Sequence, residues 1–294
     1  RPFTNQWSYY NRIFNNRVYQ MPRIFPNAAA ENLVIAMTGK GSRNGFSIIM
    51  SNVLPDLNMM EAGAQCFPLY LYDAPKAQND SKAQAALFEG QEGDLARRDA
   101  ITDHGLAHFQ SKYPGETLTK EDLFYYIYGL LHSPDYRSRF KNNLAKALPR
   151  IPAVKTADDF WAFSQAGRRL GDLHVNFESV PPYMVTFKEG DHDLINEARD
   201  NPQDFYRVRK MKFGGSGKTK DRSTVIYKHH ITLQNIPLAA YDYVVNGKPA
   251  LEWVMERQVV KQDKASGIVN DANDYANETA GDPRYPMHLF QRVI

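Results

Sequence analysis

Short apolar runs separated by glycine, asparagine and proline dominate the first quarter of the chain, and residues 34–37, 47–50 and 67–72 have the length and composition of strands. Between the first two lies Gly39-Lys40-Gly41-Ser42-Arg43-Asn44-Gly45, a hairpin loop that projects Lys, Arg and Asn side chains. Residues 74–98 are polar and lack apolar periodicity, which predicts a surface insertion. The period then changes. Helices are predicted over 101–113, after a Thr119 cap with Asp122 three residues on, after Ser133 with Pro134 at the first position, and from Asp158 to about Asn176. In the last of these, Phe160, Phe163, Ala166, Leu170 and Leu173 fall at helical spacing and predict the buried face.

Strand patterns return over 184–187, 206–213 and 224–233, with a helical turn around 194–199. Asn246-Gly247 then marks a turn before a helix through Trp253 and Met255, and a last helix starts near Pro283. The expected class is α+β: a β-rich N-terminal part and central antiparallel strands packed with a helical subdomain. The segments are 1–78 (β-rich), 79–118 (polar insertion and connecting helix), 119–178 (helical) and 179–294 (β segment with a basic hairpin and C-terminal helices). Together they read as one composite domain.

At 294 residues with 43% hydrophobic and 23% charged positions, the chain has the composition of a folded globular protein. Its single cysteine, Cys66, can form neither an internal disulfide nor a cysteine-based zinc site, which predicts a reducing compartment such as the cytoplasm. No run approaches the roughly 18 apolar residues of a membrane span. The start at Arg1-Pro2-Phe3 and the end at Arg292-Val293-Ile294 suggest a piece of something longer.

The net charge of +3 hides a strongly uneven distribution. Between 207 and 230, Arg207, Arg209, Lys210, Lys212, Lys218, Lys220, Arg222 and Lys228 face one acid, Asp221. Arg137, Arg139, Lys141, Lys146 and Arg150 form a second block without an acid. A third joins Arg1, Arg12, Arg17, Arg23, Lys40 and Arg43 to interleaved Trp7, Tyr9, Tyr10 and Tyr19. Acids collect at 189–204 and 263–282. Such blocks are either solvated surface or phosphate-binding surface.

Several apparent motifs fail on inspection. Gly214-Gly215-Ser216-Gly217-Lys218-Thr219 resembles a nucleotide-binding P-loop, but Lys212 stands where that motif needs glycine, and the residues after Lys220 favour a strand rather than a helix. A basic hairpin tip is the better reading. His104 and His108 are four apart without a third ligand, so they read as helix surface. His229 and His230, adjacent in the predicted 224–233 strand, would point to opposite faces. Asp191-His192-Asp193 reads as an acidic loop. Residues 200–205, Asp-Asn-Pro-Gln-Asp-Phe, lack the second proline and adjoining aromatic with which amino-methyltransferases hold a flipped base. No glycine-rich loop opens a unit for S-adenosylmethionine. Cys66, in a predicted buried strand, reads as structural.

Longer strings carry a family resemblance. Arg1-Pro2-Phe3 with Trp7-Ser8-Tyr9-Tyr10, the 67–72 strand, Asp122-Leu123-Phe124-Tyr125-Tyr126-Ile127-Tyr128-Gly129-Leu130-Leu131-His132-Ser133, Leu148-Pro149-Arg150-Ile151-Pro152, Tyr241-Asp242-Tyr243-Val244-Val245-Asn246-Gly247-Lys248 and Leu251-Glu252-Trp253-Val254-Met255-Glu256-Arg257 follow in order. They resemble the C-terminal region of type ISP restriction-modification enzymes across nearly the whole chain. Most of these positions read as fold rather than readout: Phe124, Ile127, Tyr128 and Leu131 share a helical face, and Pro149 and Pro152 fix a turn.

The resemblance implies a target recognition domain for double-stranded DNA. Its longer parent would combine an ATP-dependent endonuclease and helicase with an adenine-N6 methyltransferase using S-adenosylmethionine, ATP and Mg. This chain itself would carry no catalytic residue, metal or cofactor, and its partners would be the methyltransferase and helicase domains of the same polypeptide, with no membrane. Candidates for base contact are Arg43, Asn44, Lys218 and Lys220, since Arg and Lys suit guanine and Asn suits adenine. Candidates for phosphate contact are Lys40, Arg137, Lys141, Arg207, Arg209, Lys210, Lys212 and Arg222. If 206–213 is a regular strand, Arg207 and Arg209 share one face and Lys210 and Lys212 the other. The alternative is a coupling module that docks on the neighbouring domains without reading bases; a stand-alone hydrolase has neither triad nor metal spacing to support it.

Overall fold

The computed structural model describes residues 2–11, 13–61, 63–73, 95–189, 200–217 and 219–294. The chain divides into two compact units, Tyr9–Val175 and Arg1–Ser8 with Asn176–Ile294. The architecture is α+β in both, as the pattern predicts.

In the first unit, the short helix α1 (Met21–Ile24) precedes a three-stranded antiparallel sheet in which β1 (Val34–Met37) lies between β2 (Ile48–Ser51) and β3 (Gln65–Pro68). Every residue of β1 and β2 is buried, which is why both read as continuous rather than alternating apolar runs. Buried Asn32 holds the edge of this layer by donating to the Ile24 and Tyr70 carbonyls and accepting from the Leu33 and Tyr70 amides. Strand β4 (Tyr70–Asp73) pairs with β5 (Ala96–Asp99), so the end of the supposed polar insertion is a strand; residues 74–94 lie outside the described residues. The consecutive charged residues Arg97, Arg98 and Asp99 hid β5, whose residues are mostly exposed.

Among its described residues this unit also has the helices α2 (Asp103–Gln110), α3 (Lys120–His132), α4 (Pro134–Arg139), α5 (Lys141–Leu144) and α6 (Ala157–Val175). Thr119 and Asp122 form a reciprocal capping box at α3, and Ser133 caps α4 with Pro134 at its first position. The two longest helices cross with backbones in contact. A Cβ on Gly167 would lie 2.0 Å from the Tyr125 carbonyl oxygen, and one on Gly129 would lie 2.2 Å from that of Phe163.

That contact corrects the expected face of α6. Its buried positions are Phe160, Ser164, Gly167, Gly171 and His174, whereas Ala166 is exposed and Leu173 is 52% exposed. A hydrophobic template selects large residues, but this crossing selects the absence of side chains. Tyrosine hydroxyls bind the loop after α5: Tyr126, in the matched 122–133 string, donates to the Pro152 carbonyl at 2.6 Å, Tyr136 to that of Arg150 at 2.7 Å and Tyr113 to that of Val154 at 2.9 Å. These strings therefore build the scaffold.

The second unit contains an antiparallel sheet in the order β6 (Thr186–Phe187), β9 (Ile231–Gln234), β8 (Thr219–Lys228), β7 (Lys212–Ser216). The expected 206–213 strand exists only from Lys212; residues 206–211 form no regular strand, so the proposed alternation of Arg207 and Arg209 against Lys210 and Lys212 does not apply. The expected 224–233 strand is two strands joined by a turn at His229-His230, whose rings meet with nitrogens 2.9 Å apart rather than facing opposite ways. No Gly, Asn or Pro marks that turn. The 194–199 helical turn and Asp191-His192-Asp193 lie outside the described residues.

The described residues of this unit also include α7 (Pro202–Phe205), capped by Asn201, the β10 (Val244–Val245) and β11 (Lys248–Pro249) hairpin, α8 (Ala250–Arg257), the β12 (Val260–Gln262) and β13 (Val269–Asp271) hairpin, and α9 (Tyr285–Val293). Among the described residues, no helix is long and apolar enough to cross a membrane.

Replacing Gly167 with Ala should destabilise the protein by roughly 1–3 kcal/mol or more, because a helix backbone has to move to admit the methyl group. Leu173→Ala, on the face first expected to be buried, should change stability by no more than about 0.5 kcal/mol. Urea unfolding of the two variants beside the parent measures both.

Candidate nucleic-acid interface

In the first unit, the Gly39–Gly45 loop connects β1 to β2 and is held from beneath by one carboxylate. Glu61 Oε2 accepts from the Ser42 hydroxyl at 2.6 Å and the Asn44 amide at 2.9 Å, and its carbonyl accepts from the Gly39 amide at 3.0 Å. Ser42 also donates to the Gly45 carbonyl, closing the loop on itself. These bonds turn Lys40, Arg43 and Asn44 outward, and all three are exposed. The Ser42 hydroxyl, followed by the Asn44 amide, holds the Glu61 carboxyl below the usual carboxylate range.

The second basic block meets this loop. The Gly41 amide donates to the Ala145 carbonyl at 3.3 Å, placing the end of α5, with exposed Lys141, beside the loop. Arg137 is half-buried, donates through Nε to the Leu131 carbonyl at 2.7 Å and lies over the Phe46 ring. It supports the loop base as well as adding charge.

In the second unit, β7 and β8 form the expected basic hairpin. Gly215 has φ of +85°, and a Cβ there would lie 2.2 Å from the Thr219 carbonyl oxygen, so this glycine serves a tight turn rather than a phosphate cradle. The strand that follows the motif removes the helix N-terminus a P-loop needs. Lys220 is exposed above the Phe213 ring; Lys218 lies outside the described residues, as do Arg1 and Arg12. Arg209, Lys210 and Lys212 are exposed and make no ion pair among the described residues. Arg207 pairs with Asp271, and Arg222 pairs with Glu252 at 3.0 Å while lying over the Phe213 and Tyr241 rings. The candidates thus divide into free cations and cations that also hold structure.

Sequence reasoning missed Glu61 and Asn273. Asn273, 2% exposed, accepts from the Val208 amide at 2.9 Å and donates to its carbonyl at 2.8 Å, replacing a strand partner for the basic 207–210 segment. Neither lies near its target in sequence, so no local signal identifies them. His104 and His108 are exposed on α2, and no group of His, Cys, Asp and Glu suited to a metal occurs among the described residues. Cys66 is half-buried on β3, where burial pushes its thiol up to about 11. His132 and His174, pushed by burial down to about 3 and about 4, are neutral core residues beside Tyr128.

The chain as a whole matches a known family. The model of the Type ISP C-terminal specificity domain matches residues 1–289, and the chain belongs to that family. Among solved structures, the ATP-dependent Type ISP restriction-modification enzyme LlaBIII bound to DNA is similar at 35% identity and a TM-score of 0.78, over 100% of this chain and 17% of that one. A nuclease-deletion mutant of the Type ISP restriction-modification enzyme LlaGI, in complex with a DNA substrate mimic, is similar at 33% identity and a TM-score of 0.73, over 100% of this chain and 22% of that one. The DrdV–DNA complex matches at 29% identity and a TM-score of 0.76, over 100% of this chain and 26% of that one. The chain therefore spans about a fifth of the length of these relatives. No curated protein sequence matches it.

The loop clamp gives a pH prediction. A carboxylate whose folded pKa is depressed stabilises the fold above its unfolded pKa and loses that contribution as pH falls through the folded value. The Asn44 amide resonance should therefore titrate with a midpoint below about 4.3, the ordinary glutamate value. Glu61→Gln should abolish that transition and speed amide exchange across residues 39–45; both are read by NMR.

Proposed function

We propose that this chain is the sequence-reading module of a longer restriction-modification enzyme, holding an asymmetric double-stranded DNA site for adenine-N6 methylation and ATP-dependent cleavage performed by other domains. The observation that carries this reading is the pair of anchored cationic turns, the Gly39–Gly45 loop on Glu61 and the β7–β8 hairpin on its tight glycine turn. Fixed backbones with free Lys, Arg and Asn ends suit phosphate positioning and base-edge contact, since phosphate contacts set register and base contacts set sequence. The solved relatives, bound to DNA or to a DNA substrate mimic, support the same partner.

Under this reading Arg43, Asn44, Lys218 and Lys220 reach bases, while Lys40, Arg137, Lys141, Arg209, Lys210 and Lys212 grip phosphates. Arg207 and Arg222 contribute charge while keeping their carboxylate partners. The reading assigns no catalytic step to this chain; S-adenosylmethionine, ATP and Mg would serve the methyltransferase and motor of the longer enzyme, in the cytoplasm. Those domains would also be its protein partners.

Selection from a random duplex pool, followed by binding at several salt concentrations, tests the reading. The protein should enrich an asymmetric site. Lys40→Ala should weaken binding to all duplexes alike and reduce the slope of log K against log salt by about one. Lys220→Ala or Arg43→Ala should cost roughly 1–3 kcal/mol, concentrated at one base position. Enrichment of no sequence, with docking on the neighbouring domains that salt does not affect, would favour the coupling module instead.

A further inference from the structure

The β12–β13 hairpin has no counterpart in the basic blocks, yet its exposure sets it apart. Every residue from 261 to 270 is exposed, including Ile268 at 62% and Val269 at 54%. A two-stranded hairpin that buries neither face adds little to folding and is marginal by itself. Its form is nevertheless well defined. Lys261 pairs with Asn270 and Gln262 with Val269 across the strands. At the tip, Asp263 Oδ1 accepts from the Ala265 amide, the Ser266 amide and the Ser266 hydroxyl, and the Asp263 amide donates to the Ile268 carbonyl at 2.8 Å.

The base of this ribbon is joined to the basic 207–210 segment. The Val260 amide donates to the Arg209 carbonyl at 3.0 Å, Lys210 bridges Val259, Arg207 pairs with Asp271, and Asn273 takes both backbone groups of Val208. Exposed Arg209 and Lys210 therefore lie against the root of the ribbon. The ribbon's own acids are occupied, Asp271 by Arg207 and Asp263 by its turn, while Lys261 and Lys264 make no ion pair and Asn270 makes no side-chain hydrogen bond among the described residues.

We infer that the β12–β13 ribbon is a further DNA-reading element, entering the major groove while Arg209 and Lys210 at its root hold the flanking phosphates. A major groove about 12 Å wide admits a two-stranded ribbon. The free amide of Asn270 suits the edge of adenine, Lys261 and Lys264 suit guanine or phosphate oxygens, and Ile268 and Val269 offer apolar contact to thymine methyl groups. The cationic root and the free lysines commit the ribbon to a polyanion rather than to an apolar protein surface. This inference rests on the DNA-reading function proposed above and adds to it a specific element.

Duplex selection from the same random pool tests the ribbon with the parent protein, the triple variant Lys261→Ala/Lys264→Ala/Asn270→Ala, the single variant Asn270→Ala, and Lys220→Ala as a reference. Because the substituted side chains are exposed, the thermal transition should be unchanged; Asn270→Ala, the smallest change, carries the test if the triple variant melts early. The triple variant should lose roughly 5- to 150-fold in affinity for the duplex selected by the parent. It should also lose base preference at two or three adjacent positions while keeping it elsewhere, and Asn270→Ala should relax one of these. Unchanged preference at every position in both ribbon variants, with preference lost in Lys220→Ala, would overturn the ribbon's role and leave DNA reading intact. A parent protein that enriches no sequence would overturn the DNA-reading function and the ribbon's role together.

Discussion

Side chains that point into water cannot hold their own backbone in place, and three cationic segments of this protein depend on polar groups that do so from the protein side. Glu61 binds the loop bearing Lys40, Arg43 and Asn44, Asn273 binds Val208 amid the basic run, and Tyr241 donates to the Arg222 carbonyl on β8. Each replaces a strand or helix partner that the irregular backbone lacks. The outward side chains then begin from fixed positions, so less conformational entropy remains to be lost when they meet a ligand.

Beneath these anchors, the scaffold is conventional in its forces and unusual in one choice. In the first unit, α3 and α6 approach until glycine is required at Gly129 and Gly167, while Phe160, Tyr126 and Phe109 fill the surrounding core with stacked and edge-on rings. The tyrosine hydroxyls, which need partners once buried, take the carbonyls of Arg150, Pro152 and Val154. The strings that mark the family are thus bound to each other, and they fix the scaffold rather than the sequence read.

Features with local causes were legible. The capping box at Thr119 and Asp122, Pro134 after Ser133, the buried run of β1 and the glycine-bounded hairpin of β7 and β8 are each set by residues a few positions apart. What escaped needs partners distant in sequence. The buried face of α6 follows from the crossing with α3, not from its own apolar stripe. Residues 206–211 have a strand-like composition but are paired by an asparagine side chain and a single bridge instead of a ladder. The turn at His229-His230 carries no turn residue. The cationic loops were visible as charge, but the carboxylate beneath the Gly39–Gly45 loop was one acid among 33 Asp and Glu residues. The ribbon at 260–271 was masked by its own acids, of which Asp271 is paired by Arg207, 64 positions away, and Asp263 shapes the turn at the tip.

Amide hydrogen exchange of the protein with and without its selected duplex tests the central claim most directly, because it reads the backbone of every anchored segment at once. The account predicts slowed exchange strongest at residues 39–45, the β7–β8 tip and residues 261–270, with the α3–α6 core unaltered. Protection elsewhere, with these three segments exchanging as in the free protein, would contradict it.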